Sequence, residues 1–324
     1  MQEAVGAWAR GGRTPLRHRL GAAMSAPGTH EPVPATRLAV VTDSTTYLPG
    51  EMFERWDIKQ VSLYVGWEGE LLPEREYVDL DAFYARLRDS PQLPSTSQPS
   101  VGDFIAVYEP LVSAGRDVAS IHIADGLSGT CASAREAART LAEAGHPGRV
   151  EVHDGQTGAG GLGMLVLLAA SVAAQGEGLD STLGAVRRAR ESLDIWFCLD
   201  TLEYLRRGGR IGAAQAMVGT ALKVKPILTF GTEIAPVGRV RTHRRAMERM
   251  VAHLHELRDR GASDWIVQHA QAPADAERLV AEGRAIFGSE PLFCTEVGPV
   301  LGAHLGSGVL VGGMTRPAIP APDA

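Results

Sequence analysis

Three short apolar runs, each followed by a helix-like segment, constrain the fold of the first half of the chain. The runs are Leu38–Thr42, Val118–Ile123 and Val150–His153. A chain that alternates buried strands with helices folds into a parallel sheet that is covered by helices on both faces. We therefore predict an α/β/α layer domain in this half.

Polar residues follow each of these runs, and Asp43, Ser128 and Asp154 all lie on loops just after a strand. Ligands of open parallel sheets bind where the carboxyl ends of the strands meet. Ser128 lies between Gly126 and Thr130, at a turn from strand to helix. Its hydroxyl could cap the helix, attack a substrate or hold an anion at the helix N-terminus.

The second half is more mixed, and its patterns predict an α+β domain with a mixed sheet. The expected helices cover residues 180–193, 245–260 and 274–287. The expected strands cover residues 195–199, 225–229, 233–237 and 264–269, with the middle two forming a hairpin around Gly231 and Thr232. For residues 291–311 we expect one or two further strands with glycine turns.

The length of 324 residues favours two domains. We predict an N-terminal parallel α/β domain over residues 37–160 and a C-terminal mixed-sheet domain over residues 161–316. Residues 1–36 are rich in Arg, Gly, Ala and Pro and are expected to form a disordered extension, with a short tail at 317–324. Met24 is an alternative start, since the sequence before it resembles translated upstream sequence.

Composition excludes several classes of protein. A net charge of −6 argues against a general nucleic-acid binder. The three cysteines show no C-x-x-C spacing, which indicates reduced thiols and a cytoplasmic location. The run Leu162–Ala174 is too short to cross a membrane and predicts a buried core helix. Neither an H-E-x-x-H helix nor Cys/His ligand spacing is present, so we expect no metal site.

Residues Gly158–Gly163 match the G-x-G-x-x-G pattern of dinucleotide-binding loops. The strand before them would be third in its sheet, whereas the dinucleotide fingerprint opens its domain. Close packing of a helix against a sheet explains the glycines equally well. A Walker phosphate loop and a G-x-S-x-G nucleophile elbow are both absent from the sequence.

Three further features allow both a functional and a structural interpretation. Residues Ser95–Ser100 form a hydroxyl-rich turn, for which a plain loop and helix cap is the simpler interpretation. Arg206, Arg207 and Arg210 form a basic cluster that could be a solvated face or could recognise a phosphate or an acidic partner. His304 lies between glycine turns and could donate to a carboxylate, although a lone histidine is more often structural.

Taken together, these motifs resemble the DegV family, which includes the fatty-acid-binding subunits of the bacterial fatty acid kinase. The resemblance covers residues 38–312. It is carried by the ordered segments Val41–Thr45, Thr96–Ser100, Gly126–Thr130, Asp200–Gly212, Lys225–Leu228 and Gly298–His304. Six motifs in one order are far more specific than any one of them.

The resemblance implies a two-domain fold and a long-chain fatty acid in an internal tunnel. It implies that Thr96, Ser128 and His304 bind the fatty-acid carboxylate. It also implies a bacterial, cytoplasmic, non-enzymatic carrier in phospholipid metabolism, which presents its ligand to a separate fatty acid kinase. Such a carrier needs no cofactor and at most transient membrane contact, and Arg206, Arg207 and Arg210 would contact the kinase or the acyl phosphate.

The sequence departs from the family pattern at two places. Cys131 stands where the family often has Tyr, and Leu305 replaces the Thr that commonly follows the histidine of the last motif. Two alternative functions remain open at this point: a serine-dependent acyl hydrolase that uses Ser128 and His304, and a nucleotide-binding module that uses Gly158–Gly163.

Overall fold

The computed structural model describes residues 36–218 and 224–317. The predicted extension, apart from Thr36, and the predicted tail, apart from Pro317, lie outside these described residues, as does the alternative start at Met24.

The first half contains seven strands and six α-helices within the described residues. In chain order they are β1 (Leu38–Asp43), α1 (Gly50–Arg55), β2 (Lys59–Val61), β3 (Tyr64–Trp67), β4 (Glu70–Pro73), α2 (Leu80–Asp89), β5 (Ser95–Ser97), α3 (Val101–Ser113), β6 (Asp117–His122), α4 (Thr130–Glu143), β7 (Val150–Asp154), α5 (Ala159–Ala173) and α6 (Leu179–Ser192).

Four of these strands form a sheet in the order β2-β1-β6-β7, and every neighbouring pair is parallel. All six residues of β1 are buried, as expected for a strand that is covered on both faces. A capping box formed by Ser100 and Asp103 begins α3, so the helix cap that was considered for the Ser95–Ser100 segment is present. The parallel layer predicted from the alternating pattern is therefore confirmed.

A small antiparallel sheet with the order β4-β3-β5 lies beside this layer. It was not predicted. Residues Ser95–Ser97 form the strand β5 and pair with β3, so the interpretation of this segment as a plain loop is wrong. Its three hydroxyl residues carry little hydrophobic pattern, and partner β3 supplies the hydrogen bonds that make it a strand.

The second half has six strands and four α-helices within the described residues. In chain order they are β8 (Asp194–Leu199), α7 (Glu203–Arg207), β9 (Lys225–Phe230), β10 (Ile234–Val240), α8 (His243–Asp259), β11 (Asp264–Ala270), α9 (Pro273–Phe287), β12 (Cys294–Glu296), α10 (Pro299–Leu305) and β13 (Gly308–Met314).

These strands form one sheet in the order β10-β9-β8-β13-β11-β12. Its pairs are antiparallel except for β11 with β12, so the mixed sheet is confirmed. The predicted hairpin is present as β9 and β10. The last strand, β13, enters between β8 and β11, which places the C-terminal part of the chain at the centre of the sheet.

The one or two strands expected in residues 291–311 are present as β12 and β13. The seven-residue helix α10, which lies between them, was not predicted. Pro299 occupies the first turn, where its missing N–H costs nothing, and Gly306 leaves the helix with a positive φ of 66°. All seven residues of α10 are buried, so packing stabilises a helix that is short and contains glycine.

Helix α5 is the apolar run of the sequence, and each of its 15 residues is buried. It contacts β1 and β6 of the parallel sheet and β11 and β13 of the mixed sheet. A helix that is apolar on all sides is expected to be buried, with other elements packed on more than one of its faces. The predicted buried core helix is confirmed. The predicted domain boundary at residues 160–161 falls in its first turn and stays a prediction.

The glycines of α5 permit this close packing. A Cβ atom at Gly160 would overlap Ile266, and one at Gly161 would lie 2.6 Å from the hydroxyl of Thr157. A Cβ atom at Gly163 would lie 3.0 Å from Leu48. The G-x-G-x-x-G pattern therefore lies inside the core, where side chains already occupy the space that a dinucleotide would need.

Candidate functional site

A pocket of about 500 Å³, including its opening to solvent, lies where the two halves of the chain meet. Its polar side chains come from β5 and the loops after β6 and α7, together with α10. The residues that line it are Leu63, Thr96, Ser97, Gln98, Ile123, Leu127, Ser128, Arg210, Phe230, Ile234, Val300, Leu301, His304 and Leu305. Thr96, Ser128 and His304, which lie far apart in the sequence, thus share one cavity.

Strand β5 directs Thr96 into this pocket. Successive side chains of a strand point to opposite faces, and Ser95 is exposed and does not line the pocket, while Thr96 is half-buried and does. The Oγ1 atom of Thr96 lies 2.7 Å from Nε2 of His304. This contact joins residues that are 208 positions apart in the chain.

His304 lies in the last turn of α10 and is 8% exposed. Its Nδ1 atom has no hydrogen-bond partner among the described residues. Burial, together with the positive charge of Arg210, lowers the pKa of His304 to about 4. The imidazole is therefore neutral at pH 7, and it carries one N–H and one free lone pair.

Ser128 does not cap the helix that follows it, so this possibility is wrong. Gly129 occupies the N-cap position of α4, and no side chain caps that helix. The hydroxyl of Ser128 lies instead 2.8 Å from that of Thr130 and faces the pocket. A Cβ atom at Gly126 would overlap the backbone oxygen of Thr232, so this glycine lets the Ser128 loop contact the β9–β10 hairpin.

The three arginines of the basic cluster differ in position. Arg210 lines the pocket, and its Nε donates to the backbone oxygen of Leu127 over 3.4 Å. Arg206 is exposed and pairs with Glu203 over 2.9 Å. Arg207 is also exposed and donates to the backbone oxygen of Pro91 over 2.9 Å. Only Arg210 of the three belongs to the pocket wall.

The pocket suits an anion that carries an apolar tail. Among the described residues that line it, none is acidic, and Arg210 is the one charged group when His304 is neutral. Hydroxyl donors from Thr96 and Ser128 face the same space. Most of the wall is apolar: Leu63, Ile123, Leu127, Phe230, Ile234, Val300, Leu301 and Leu305. The sequence alone had no signal for these wall residues, because nothing distinguishes them from core residues.

The geometry gives little support to a serine hydrolase at this site. A catalytic histidine needs a pKa near the working pH and an acid that orients it. His304 has neither, since its Nδ1 is unpaired within the described residues and its pKa is about 4.

A serine–histidine–aspartate arrangement does exist elsewhere in the fold. Ser120 Oγ lies 2.6 Å from His122 Nε2, and His122 Nδ1 lies 3.1 Å from Asp43. All three residues have 0% exposure, and Ser120 also contacts the hydroxyl of Tyr108. A substrate has no access to these fully buried side chains, and the array ties the ends of β1 and β6 together.

Residues 36–218 and 224–317 lack two other features. In these ranges no three His, Cys, Asp or Glu side chains lie together in a way that could hold a metal ion. None of the helices there is long and apolar enough to cross a membrane.

Known proteins are similar to this chain in sequence and in fold. A DegV domain-containing protein of Listeria monocytogenes is 35% identical over 277 residues, which cover 85% of this chain and 96% of the relative. A solved DegV family protein from Thermus thermophilus, described by its fatty acid binding, matches with a TM-score of 0.77 and 32% identity. DegV from Bacillus subtilis, described as a fatty acid binding protein, matches with a TM-score of 0.78 and 32% identity.

Each of these two structures covers 87% of this chain and is itself covered completely. A family described as "uncharacterised protein, DegV family" matches residues 37–313. The chain therefore belongs to the DegV family.

Proposed function

We propose that this protein binds a long-chain fatty acid in an internal tunnel and presents it to a separate fatty acid kinase. The observation that carries the proposal is the meeting of Thr96, Ser128, His304 and Arg210 at one apolar-walled pocket. The relatives from Thermus thermophilus and Bacillus subtilis, both described as binding fatty acids, support the same ligand class.

In this proposal the carboxylate accepts hydrogen bonds from Thr96 and Ser128. Thr96 has a single hydroxyl hydrogen, so it can donate to the ligand only if it accepts from His304. The 2.7 Å contact then runs from Nε2–H of His304 to Oγ1 of Thr96. A neutral imidazole with its hydrogen on Nε2 satisfies this need and leaves only a lone pair on the buried Nδ1 atom.

Arg210 adds the positive charge that the two hydroxyls lack. Its Nη1 donates to the backbone oxygen of Gly208, and its Nε donates to that of Leu127, next to Ser128. The remaining N–H groups of the guanidinium are available to an anion at the mouth of the pocket. Hydrogen bonds to a charged group are worth about 1.5–3 kcal/mol each.

The apolar tail contributes more to affinity than the head group. Each buried methylene gives about 0.8 kcal/mol, so a chain of about fifteen carbons gives on the order of 10 kcal/mol before the costs of ordering. The polar groups then orient the ligand, with the carboxylate at the opening. This orientation suits a carrier that offers the carboxylate to another protein.

We assign transfer of phosphate to the separate kinase and no catalytic step to this chain. The absence of a Walker loop from the sequence and the low pKa of His304 support this division. The exposed Arg206 and Arg207 are our candidates for contact with the kinase or the acyl phosphate. Three free cysteines favour a reducing compartment, and we place the carrier in the cytoplasm.

Native mass spectrometry of the purified protein, followed by analysis of its denatured lipid extract, tests the proposal. We expect one fatty acid per chain, either retained from expression or taken up on addition. Protein that is empty and also fails to bind added oleic or palmitic acid would refute fatty-acid binding. Turnover of a chromogenic ester that is lost in Ser128→Ala would instead support the hydrolase.

A further inference from the structure

A buried carboxyl group outside the pocket contacts the helix that carries His304. Glu74 follows β4, in a single 3₁₀ turn, and is 5% exposed. Its side chain accepts hydrogen bonds from the hydroxyl of Ser44, from the hydroxyl of Tyr47 over 2.9 Å and from the backbone N–H of Val300 over 2.7 Å. Val300 lies in the first turn of α10 and lines the pocket.

The direction of these hydrogen bonds follows from the neighbouring backbone. The hydroxyl of Ser44 accepts from the N–H of Leu63 over 3.1 Å, and that of Tyr47 accepts from the N–H of Leu301 over 3.0 Å. Each hydroxyl has one hydrogen, which is left to point at Glu74. Glu74 thus meets three donors, and the arrangement fits a carboxylate that only accepts.

The cluster formed by Glu74, Ser44 and Tyr47 packs closely against the start of α10. A Cβ atom at Gly298 would lie 2.5 Å from Cε1 of Tyr47 and 3.0 Å from Oε1 of Glu74, so no side chain fits between the helix and the cluster. The hydroxyl of Tyr84 donates a hydrogen bond to the backbone oxygen of Val297 over 2.8 Å. Because His304 is one turn after Val300, the position of this first turn sets the distance between His304 and Thr96.

We propose that Glu74 is a positioning residue for the ligand pocket. As a carboxylate it holds Val300 and, through Tyr47, Leu301, and so places His304 where it orients the hydroxyl of Thr96 towards the ligand. Neutralising Glu74 adds a hydrogen or removes an acceptor at a point where three donors converge, which shifts α10 and weakens binding of the ligand. This inference rests on the proposed function.

The titration of Glu74 makes the inference measurable. Burial raises the pKa of Glu74 to about 7, against the lowering effect of its three hydrogen bonds. The other titratable groups that face it are Asp43 from β1, Tyr47, and Tyr84 from α2. Burial raises the pKa of both tyrosines, and hydrogen bonds lower that of Asp43, so Glu74 alone among them changes charge near neutral pH.

The charged fraction of a group with this pKa falls about tenfold between pH 8 and pH 6, and the affinity of a ligand that needs the charged form falls by the same factor. Oleic acid as a monomer stays ionised in this range, since a free carboxyl has a pKa of about 4. His304, with a pKa of about 4, stays neutral.

The experiment measures the affinity for monomeric oleic acid, by displacement of fluorescent cis-parinaric acid, at pH 8 and pH 6. Wild type is compared with Glu74→Gln and with Glu76→Gln, a matched change at an exposed carboxyl two residues along the same turn. We expect about tenfold weaker binding at pH 6 for wild type and for Glu76→Gln. Glu74→Gln should bind weakly at both pH values, with no such change.

Tyr47→Phe covers the case in which Glu74→Gln does not fold. It keeps the ring and removes the hydroxyl that joins Glu74 to Leu301, so we expect weaker binding at pH 8 from a folded protein. An unchanged affinity in Tyr47→Phe, a flat profile in wild type or a full pH response in Glu74→Gln would each overturn the positioning role. Wild type that fails to bind oleic acid at pH 8 would overturn the proposed function as well.

The sign of the stability effect separates positioning from folding. The pKa of Glu74 is higher in the folded chain than the ordinary value of 4.5, so protonation of this group stabilises the folded state. Protonation of Glu74 at pH 6 therefore does not destabilise the fold, and weaker binding at this pH does not come from unfolding. Thermal unfolding at both pH values measures this directly.

Discussion

Replacing Thr96 with valine tests the head-group site with the smallest change of shape. Valine has the branching and nearly the volume of threonine, and it suits the strand β5. The change removes one hydrogen bond to the carboxylate, worth about 1.5–3 kcal/mol, which corresponds to roughly 10- to 150-fold weaker binding. It also removes the hydrogen-bond partner of the buried Nε2 atom of His304.

His304 loses this partner in both the free and the ligand-bound protein. This loss therefore lowers the free energy of unfolding more than it lowers the affinity for the ligand. An unpaired buried donor costs about 1–3 kcal/mol. We therefore expect Thr96→Val to lower the free energy of unfolding by this amount and to lower the affinity for oleic acid separately. Displacement of cis-parinaric acid at pH 8 gives the affinity, and urea unfolding gives the stability.

Ser95→Ala is the matched control, because Ser95 lies on the same strand and points to the opposite face. Its hydroxyl contacts the backbone oxygen of Gly66 over 3.3 Å and does not line the pocket. Ser95→Ala should bind oleic acid as wild type does. The reasoning is refuted if Thr96→Val is fully folded under the assay conditions and binds oleic acid within twofold of wild type.

Three further changes test other parts of the structure. Arg210→Gln should weaken binding of oleic acid several-fold. The double variant Arg206→Gln with Arg207→Gln should keep the affinity for oleic acid and reduce phosphorylation by the kinase. Loss of lipid binding in the double variant would place these arginines in the pocket. Gly160→Val should lower the free energy of unfolding by about 1–3 kcal/mol or more, because its side chain would overlap Ile266, while Gly184→Ala on α6 should not. Between pH 4.5 and about 7 the folded chain holds a proton on Glu74 that the unfolded chain releases. The free energy of unfolding of wild type, relative to that of Glu74→Gln, should therefore fall by up to ~3 kcal/mol as the pH rises through this window. An increase over the window would contradict the raised pKa.

The parallel layer was predictable because its signals are local. Each strand of residues 38–154 that was predicted is a compact apolar run, and a helix-forming segment follows it along the chain. The small sheet β4-β3-β5 was missed because its strands have three or four residues each, and only two of those eleven residues, both in β3, are fully buried. Tertiary pairing decides the structure of such short segments, and their own composition does not.

The pocket could be predicted only through the resemblance to the DegV family. Thr96, Ser128 and His304 each had an ordinary structural explanation when considered alone. Their meeting depends on β13 entering the centre of the mixed sheet, which brings α10 against β5. No local pattern encodes that order of strands.

Local reasoning missed helix α10, which carries His304. The segment Gly298–Gly308 contains four glycines, which suggested turns. Yet Pro299 at the first helical position and Gly306 after the last are the usual limits of a helix, with apolar residues between them. Weighting these end signals above glycine content would have predicted α10.

Glu74 lay beyond sequence reasoning for a different reason. It stands in Glu74-Arg75-Glu76, a charged segment that is typical of a solvated turn, and its two charged neighbours are exposed. Burial of this one carboxyl follows from donors that two distant segments supply: Ser44 and Tyr47 after β1, and Val300 in α10. A residue whose role depends on the local backbone conformation leaves a trace in the sequence around it. A residue whose role depends on distant donors becomes recognisable only when the fold brings them together, and the same distant contacts are what allow Glu74 to act on His304.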